Sequence, residues 1–184
     1  MVNVYPDRPI TLVVGLPSGD TSDAIAHELA LHISQQLGQR IIVENRSAVA
    51  GNIGADSVAK STPDGYTLYL AVRPVPPHEA MREHIEYDLS RAFVPVGMVL
   101  KSNTQAHGWC AVLAPKGVPA YVLNRLNHGI NSALSTDDAR NKLVRLGFDV
   151  PPAANTPEML GDFLEEDTRK WTGILATHQI LGLQ

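Results

Sequence analysis

Residues 10–23 of the 184-residue chain read ITLVVGLPSGDTSD. The apolar, partly β-branched run Ile10–Val14 is followed directly by a stretch containing Gly and Pro at 15–19, which predicts a buried strand and then a turn. Helical spacing follows at once, because apolar residues recur every four positions between residues 25 and 37. A strand, a glycine-containing turn and a helix in this order are typical of the first unit of an α/β fold.

The alternation continues along the chain. Further buried strands are predicted at 41–43 and 67–72, with a short helix at 53–60 between them. Strands that alternate with helices imply a parallel sheet covered on both faces, with right-handed crossovers. We therefore expect an α/β fold, a three-layer αβα sandwich around a mostly parallel, doubly wound sheet.

The second half of the sequence predicts two more strands and three helices. The strands are expected at 93–100 and 109–114, and Pro95 favours an irregular or edge position for the first of them. Helices are expected from Pro119, over 137–146 and from the capping residue Thr156. The length of the chain is typical of one domain.

Composition excludes several functions. The formal net charge is −4 and aromatic residues make up 5% of the chain, so no nucleic-acid partner is expected. The single cysteine, Cys110, cannot form an internal disulfide, and its apolar surroundings predict an inert core thiol. No apolar run is long enough to span a bilayer, and residues 1–5 lack the features of a signal peptide.

The loop at 15–23 is the main candidate for a binding site. Ligands of open α/β sheets bind beyond the carboxyl ends of the strands, and a helix N-terminus suits a carboxylate or a phosphate. A second loop, 45–54, is expected at the same edge of the sheet. The alternative is that Ser18, Asp20, Thr21 and Ser22 only cap the helix and shape the turn.

Arg73 follows the third predicted strand at this same edge. Its guanidinium has the geometry to hold a carboxylate through two parallel hydrogen bonds. It has two other potential partners in the sequence, Asp20 and Glu79, and the pattern alone does not choose between a ligand and these side chains.

No catalytic or metal-binding motif is present. The first turn lacks both the dinucleotide and the Walker pattern, and Leu16 occupies the position where a nucleophile elbow around Ser18 needs glycine. The acidic run 165–167 is expected to be a solvated face. No two of the seven histidines stand at metal-ligand spacing, and solvated surface positions are expected for His27, His32, His78, His84, His107, His128 and His178. We expect that the chain is not an enzyme and that it binds no cofactor and no metal.

Several motifs, in order, resemble the receptor proteins of tripartite tricarboxylate transporters, also called the Bug family. They are YPDRPI at 5–10, PSGDTSD at 17–23, VENR with AGNIGAD over 43–56, PDGYTL at 63–68 and LAPKGVP at 113–119. The resemblance implies one lobe of a type II periplasmic binding protein. It also implies a periplasmic location, binding of a small organic acid through backbone N–H groups and waters, and delivery to a membrane permease.

The departures from the family pattern define two hypotheses. The family has an entire second lobe where this chain has only Lys101 to Gly108, so 1–100 and 109–184 are expected to form one α/β domain joined by the linker 101–108. Asp20 replaces a usual glycine and is expected to repel an anion. The first hypothesis is a single-lobed carboxylate-binding protein. The alternative is a non-transport interaction or sensory domain that forms a homodimer through the face left by the missing lobe.

Pattern and resemblance together select one set of ligand-binding residues. They are Ser18, Gly19, Asp20, Thr21, Ser22, Asp23, Gly51, Asn52, Ile53, Gly54 and Arg73.

Overall fold

The structure is a computed structural model that describes residues 5–47, 52–73, 89–101 and 108–180. One five-stranded sheet runs through these residues, with helices on both faces. The strands are β1 (Ile10–Val14), β2 (Ile41–Asn45), β3 (Thr67–Arg73), β4 (Phe93–Lys101) and β5 (Trp109–Pro115). The helices are α1 (Thr21–Leu37), α2 (Asn52–Ala59), α3 (Leu89–Ala92), α4 (Ala120–Leu134), α5 (Asp137–Arg145) and α6 (Pro157–Ile180).

The strand order is β2-β1-β3-β5-β4. β1 pairs in parallel with β2 and with β3, so Leu12 lies between Val43 and Leu68. β5 runs antiparallel to both of its neighbours, and the other four strands share one direction. The expectation of a mostly parallel sheet is confirmed, with β5 as the exception. The chain order reverses around β1, which places the switch point beside the first predicted loop.

The antiparallel direction of β5 follows from its short connection to β4. Lys101 at the end of β4 and Trp109 at the start of β5 are register partners, so the linker leaves and returns at the same edge of the sheet. A strand that returns from the same edge must run antiparallel, because a parallel return needs a long crossover. Linker residues 102–107 lie outside the described residues.

The core has two layers, one on each face of the sheet. One layer packs α1, α4 and α5 against side chains such as Leu68 and Leu70, and the other packs α2 and α6 against Tyr69 and Ala71. This alternation along β3 is the period-two pattern of a strand buried on both faces. The three-layer architecture expected from the sequence is confirmed.

The edge strand β4 is irregular, as Pro95 indicated, with a register shift between Pro95 and Gly97. Because β4 has no neighbouring strand on its outer side, Asn155 supplies backbone hydrogen bonds there. Its side chain accepts a hydrogen bond from Met98 N at 2.7 Å and donates one to Met98 O at 3.1 Å. Asn127 donates to Val96 O and to Asn155 O, which fixes α4 to the same strand.

Two further expectations can be compared with the described residues. Cys110 is fully buried, and burial raises the pKa of its thiol, so the inert core position is confirmed. Among the helices of these residues, none combines the length and the apolar character that a membrane span requires.

Candidate functional site

The first predicted loop is organised by two aspartates. Asp20 is the N-cap of α1, and its carboxylate accepts a hydrogen bond from Asp23 N at 2.9 Å. Asp23 reaches back and accepts from Gly19 N at 2.9 Å and from Ser18 Oγ at 3.2 Å. Gly19 has a φ of +92°, a left-handed conformation that glycine adopts without strain. Asp20 therefore caps the helix as the capping alternative predicted, whereas the turn is closed by Asp23, which that alternative did not include.

Asn45, the last residue of β2, joins the two predicted loops. Its side-chain Nδ2 donates to Asp23 Oδ1 at 3.0 Å and to Leu16 O at 3.2 Å. Sequence reasoning named Asn45 only as the start of the second loop and missed this role. Its position gave a usable signal, because it is the amide side chain at the carboxyl end of β2, at the ligand edge of the sheet. The prediction that this strand is buried is wrong, since β2 is an edge strand on which Ile42 is exposed.

The second loop approaches the first at Gly54. A Cβ atom at this position would lie 3.0 Å from Arg46 O and 3.2 Å from Gly15 Cα, so a larger residue would push the two loops apart by a few tenths of an ångström. Ile53 is exposed beside it. Gly51 lies outside the described residues, and Asn52 is described only as the first residue of α2.

The first turn of α1 retains two backbone donors. The N–H groups of Thr21 and Ser22 make no hydrogen bond within the described part of the chain, whereas the N–H groups of Gly19 and Asp23 are bonded to carboxylates. Free N–H groups at a helix N-terminus are the usual binding groups for a carboxylate. The negative charges of Asp20 and Asp23 stand beside them and weaken this attraction.

Arg73 pairs with a carboxylate that the sequence analysis did not consider. Its Nε lies 2.6 Å from Oδ2 of Asp167 in α6, and its guanidinium carbon lies 5.5 Å from the ring centroid of Trp109. Burial lowers the pKa of Arg73, and Asp167 opposes that shift. The pairing with Asp20 is therefore wrong, and Glu79 lies outside the described residues. Arg73 Nη1 is buried without a hydrogen-bond partner in the described ranges.

The acidic run 165–167 is only partly a solvated face. Glu165 and Glu166 are exposed, but Asp167 is buried and also accepts a hydrogen bond from Trp109 Nε1 at 2.9 Å. Helical spacing explains the correction, since Asp167 lies seven residues after the buried Leu160 and four after Phe163, on the apolar side of α6.

The expected surface position of the histidines is wrong at His32. His27 and His128 are exposed as expected, but His32 is 5% exposed, and its Nε2 lies 2.8 Å from Glu28 Oε1. The sequence search compared histidines only with one another and so missed carboxylate partners. His78, His84 and His107 lie outside the described residues, and so does the side chain of His178.

Two cavities lie away from the predicted loops. One, of about 510 Å³, is a cleft lined by β4, the segment 149–155 and the start of α6, and its lining is mostly apolar. The other, of about 310 Å³, lies among Tyr5, Tyr66 and Tyr121 next to Pro119. Neither of these two cavities is lined by the predicted loop residues.

Asp23 makes the loop sensitive to acid. The hydrogen bond from Gly19 N, followed by that from Asn45, holds the pKa of Asp23 below its ordinary value. Its ionised form therefore stabilises the folded chain above the unfolded-state pKa of about 4, and this contribution is lost as the pH falls through the lower folded-state value. We expect urea unfolding between pH 3 and 6 to show a shallower pH dependence in Asp23→Asn than in the parent. An unchanged slope would contradict this.

Sequence comparisons identify relatives for most of the chain. The sequence-family model of the tripartite tricarboxylate transporter family receptor (TctC) matches residues 25–104 of the chain. BugT of Bordetella pertussis is 39% identical over 99 residues, which cover 53% of this chain and 30% of BugT. A UPF0065 protein of Pseudomonas sp. strain P51, from the tcbD–tcbE intergenic region, is 21% identical over 300 residues, covering 97% of this chain and 89% of the relative. Since that alignment exceeds 184 residues, the relative contains a long stretch with no counterpart here.

Solved structures share the fold. The periplasmic binding protein BugD superposes with a TM-score of 0.80 at 16% identity, over 94% of this chain and 98% of BugD. MatC of Rhodopseudomonas palustris with bound malate superposes with a TM-score of 0.76 at 17% identity, over 91% of this chain and 98% of MatC. R. palustris Rpa4515 with adipate superposes with a TM-score of 0.77 at 18% identity, over 94% of this chain and 98% of Rpa4515. The expected architecture of a periplasmic binding protein lobe is therefore confirmed.

Proposed function

We propose that the chain is a single-lobed solute-binding protein of the tripartite tricarboxylate transporter receptor type and that it binds a small organic carboxylate. The site is the edge where the β1–α1 and β2–α2 loops meet. One observation carries the proposal: Asn45 and Gly54 hold the two loops together beside the free N–H groups of Thr21 and Ser22.

The ligand class follows from the helix N-terminus and from the neighbours. Two structures of this fold hold malate and adipate, which are both small dicarboxylates. A partial positive charge and free N–H groups suit one carboxylate of such a molecule. A periplasmic location and delivery to a membrane permease belong to this proposal through the family.

A single lobe is expected to bind a dicarboxylate weakly. Residues 1–100 and 109–184 would form one binding surface, and the short β4–β5 connection at Lys101 and Trp109 would replace the second lobe. A ligand held by one lobe buries only part of its surface, so we expect millimolar affinity, which corresponds to about −4 kcal/mol. The negative charge of Asp20 weakens the binding further.

The test is calorimetry with malate and adipate, on the parent and on Asp20→Gly. We expect Asp20→Gly to bind about 3- to 10-fold more tightly, because it removes a negative charge beside the anion site while glycine still serves as an N-cap. Asp20→Asn keeps the side-chain cap and should show the same direction. Asp162→Asn, which removes an exposed charge from α6, is the matched control and should bind like the parent. The absence of binding in every variant would sink the proposal.

One observation favours the alternative of a non-transport interaction domain. The carboxylates of Asp20 and Asp23 already accept hydrogen bonds from Asp23 N and Gly19 N, so two of the backbone donors at this edge are occupied by the chain's own acidic side chains. This function predicts a homodimer through the face that the second lobe covers in the relatives. Sedimentation equilibrium distinguishes the two functions: a dimer with no carboxylate affinity favours the interaction domain, and a monomer that binds dicarboxylates favours the solute-binding protein.

A further inference from the structure

A cluster of three potential metal ligands lies at the contact between α1 and α5. Glu28 and His32 stand one turn apart on α1, which places them on the same face of the helix. Asp138 comes from the first turn of α5. One ligand atom from each of these residues lies within 4.8 Å of the other two.

The distances fit a small transition-metal ion. His32 Nε2 lies 2.8 Å from Glu28 Oε1 and 3.5 Å from Asp138 Oδ2. Zinc binds nitrogen and oxygen ligands at about 2.0–2.2 Å in a tetrahedron, which separates neighbouring ligand atoms by about 3.3 Å. One nitrogen and two oxygens from three side chains leave the fourth position to water. The imidazole favours Zn²⁺ or Co²⁺ over Mg²⁺ or Ca²⁺, which prefer oxygen ligands.

The burial of His32 is an independent observation. Two carboxylate oxygens approach a single ring nitrogen of a side chain that is only 7% exposed. A neutral imidazole carries at most one hydrogen on that nitrogen and cannot bond both oxygens well. A metal ion would satisfy the nitrogen and both oxygens at once.

Lys142 balances the charge of the cluster. Its ammonium lies 3.0 Å from Glu28 Oε1 and 2.9 Å from Asp138 Oδ2, so it contacts the same two oxygen atoms as His32. The side chain is 40% exposed and sits on α5, so it has room to turn toward solvent. A divalent cation and Lys142 would therefore compete for the same pair of carboxylates.

From this geometry we propose a transition-metal site, with Glu28, His32 and Asp138 as ligands and Lys142 as the competing internal cation. The site lies on the outer helical layer, away from the ligand loops, and joins α1 to α5. Metal binding is expected to stabilise the folded chain, because the ligands converge only in the native state. This proposal is independent of the carboxylate-binding function.

The experiment titrates the purified chain with Co²⁺ and with Zn²⁺ in chelator-free buffer. We expect the visible absorption of tetrahedral Co²⁺ and a zinc-dependent rise in Tm. Asp138→Asn replaces an exposed side chain, so it should fold normally and lose at least about tenfold in affinity. His32→Gln should lose at least as much, with far-UV circular dichroism to confirm folding.

Two further variants separate a metal site from a purely electrostatic cluster. Lys142→Met removes the competing ammonium, so Co²⁺ and Zn²⁺ should bind more tightly than in the parent. His27→Gln is the matched control, because His27 is an exposed histidine on the same helix, 3.5 Å from Asp23 four residues before it. Its metal affinity should be unchanged. Absence of a metal-dependent signal, or equal binding by the parent and Asp138→Asn, overturns the proposal. So does loss of binding in His27→Gln alone.

Discussion

Asp167→Ala is expected to destabilise the folded chain by about 3–5 kcal/mol, which is the usual cost of removing one partner from a buried ion pair. Asp167 and Arg73 are 8% and 7% exposed, and their charged atoms lie 2.6 Å apart. The same Asp167 oxygen accepts the indole hydrogen bond of Trp109. Alanine would leave a buried guanidinium without its counter-ion and a buried indole N–H without its acceptor.

Urea denaturation of the parent and Asp167→Ala measures the effect. Glu166→Ala is the matched control, because the neighbouring Glu166 is exposed on the same helix. A change at an exposed position away from special features should stay within about 0.5 kcal/mol. Similar unfolding free energies for Asp167→Ala and Glu166→Ala would show that the pair does not hold α6 to the sheet.

A double variant tests whether Arg73 also serves the ligand. Replacing both buried charges by apolar residues is often close to neutral, so Arg73→Met with Asp167→Leu should recover much of the stability lost in Asp167→Ala. If the double variant folds and still binds dicarboxylates like the parent, Arg73 acts only as a structural partner of Asp167. If the double variant folds but no longer binds dicarboxylates, Arg73 contributes to ligand binding.

The strands and helices that were predicted correctly are those determined by local features of the sequence, which are the apolar period and the helix caps. The β1 strand and the α1 helix follow from the apolar period of residues 10–37, and Thr156 caps α6 as predicted through its bond to Met159 N. The antiparallel direction of β5 could not be read from periodicity, because a fully buried strand has the same apolar pattern in either direction.

The candidate site was predicted less completely than the fold. The capping role of Asp20 follows from local sequence, since a cap bonds an amide only a few residues away. The contacts of Asn45 and Arg73 depend on partners from distant parts of the chain. No spacing rule encodes such pairs, because the distance along the sequence is unrelated to the distance across the sheet. The same holds for Asp138, which reaches His32 from another helix.

Gly65→Ala is the second large effect, and its cost has two separable parts. Gly65 precedes β3 with a φ of +85°, where a residue with a Cβ is strained by about 1–2 kcal/mol. The new Cβ would also lie 2.3 Å from Val122 Cγ1 and 2.9 Å from Tyr5 Oη. Relieving that overlap adds about 1–3 kcal/mol. It would also disturb the hydrogen bond that Tyr5 donates to Gly65 O at 2.6 Å.

A second glycine isolates the steric part. Gly147 has a φ of +89°, and a Cβ there would meet no atom within 4 Å, so Gly147→Ala carries the backbone strain alone. In urea denaturation we expect Gly65→Ala to lose about 1–3 kcal/mol more than Gly147→Ala. Equal losses would mean that Tyr5 and Val122 move aside at no cost. Since Gly65 lies at the amino end of β3, opposite the ligand loops, the variant should keep any dicarboxylate affinity while it remains folded. A loss of that affinity in the folded variant would show that the two edges of the sheet are coupled.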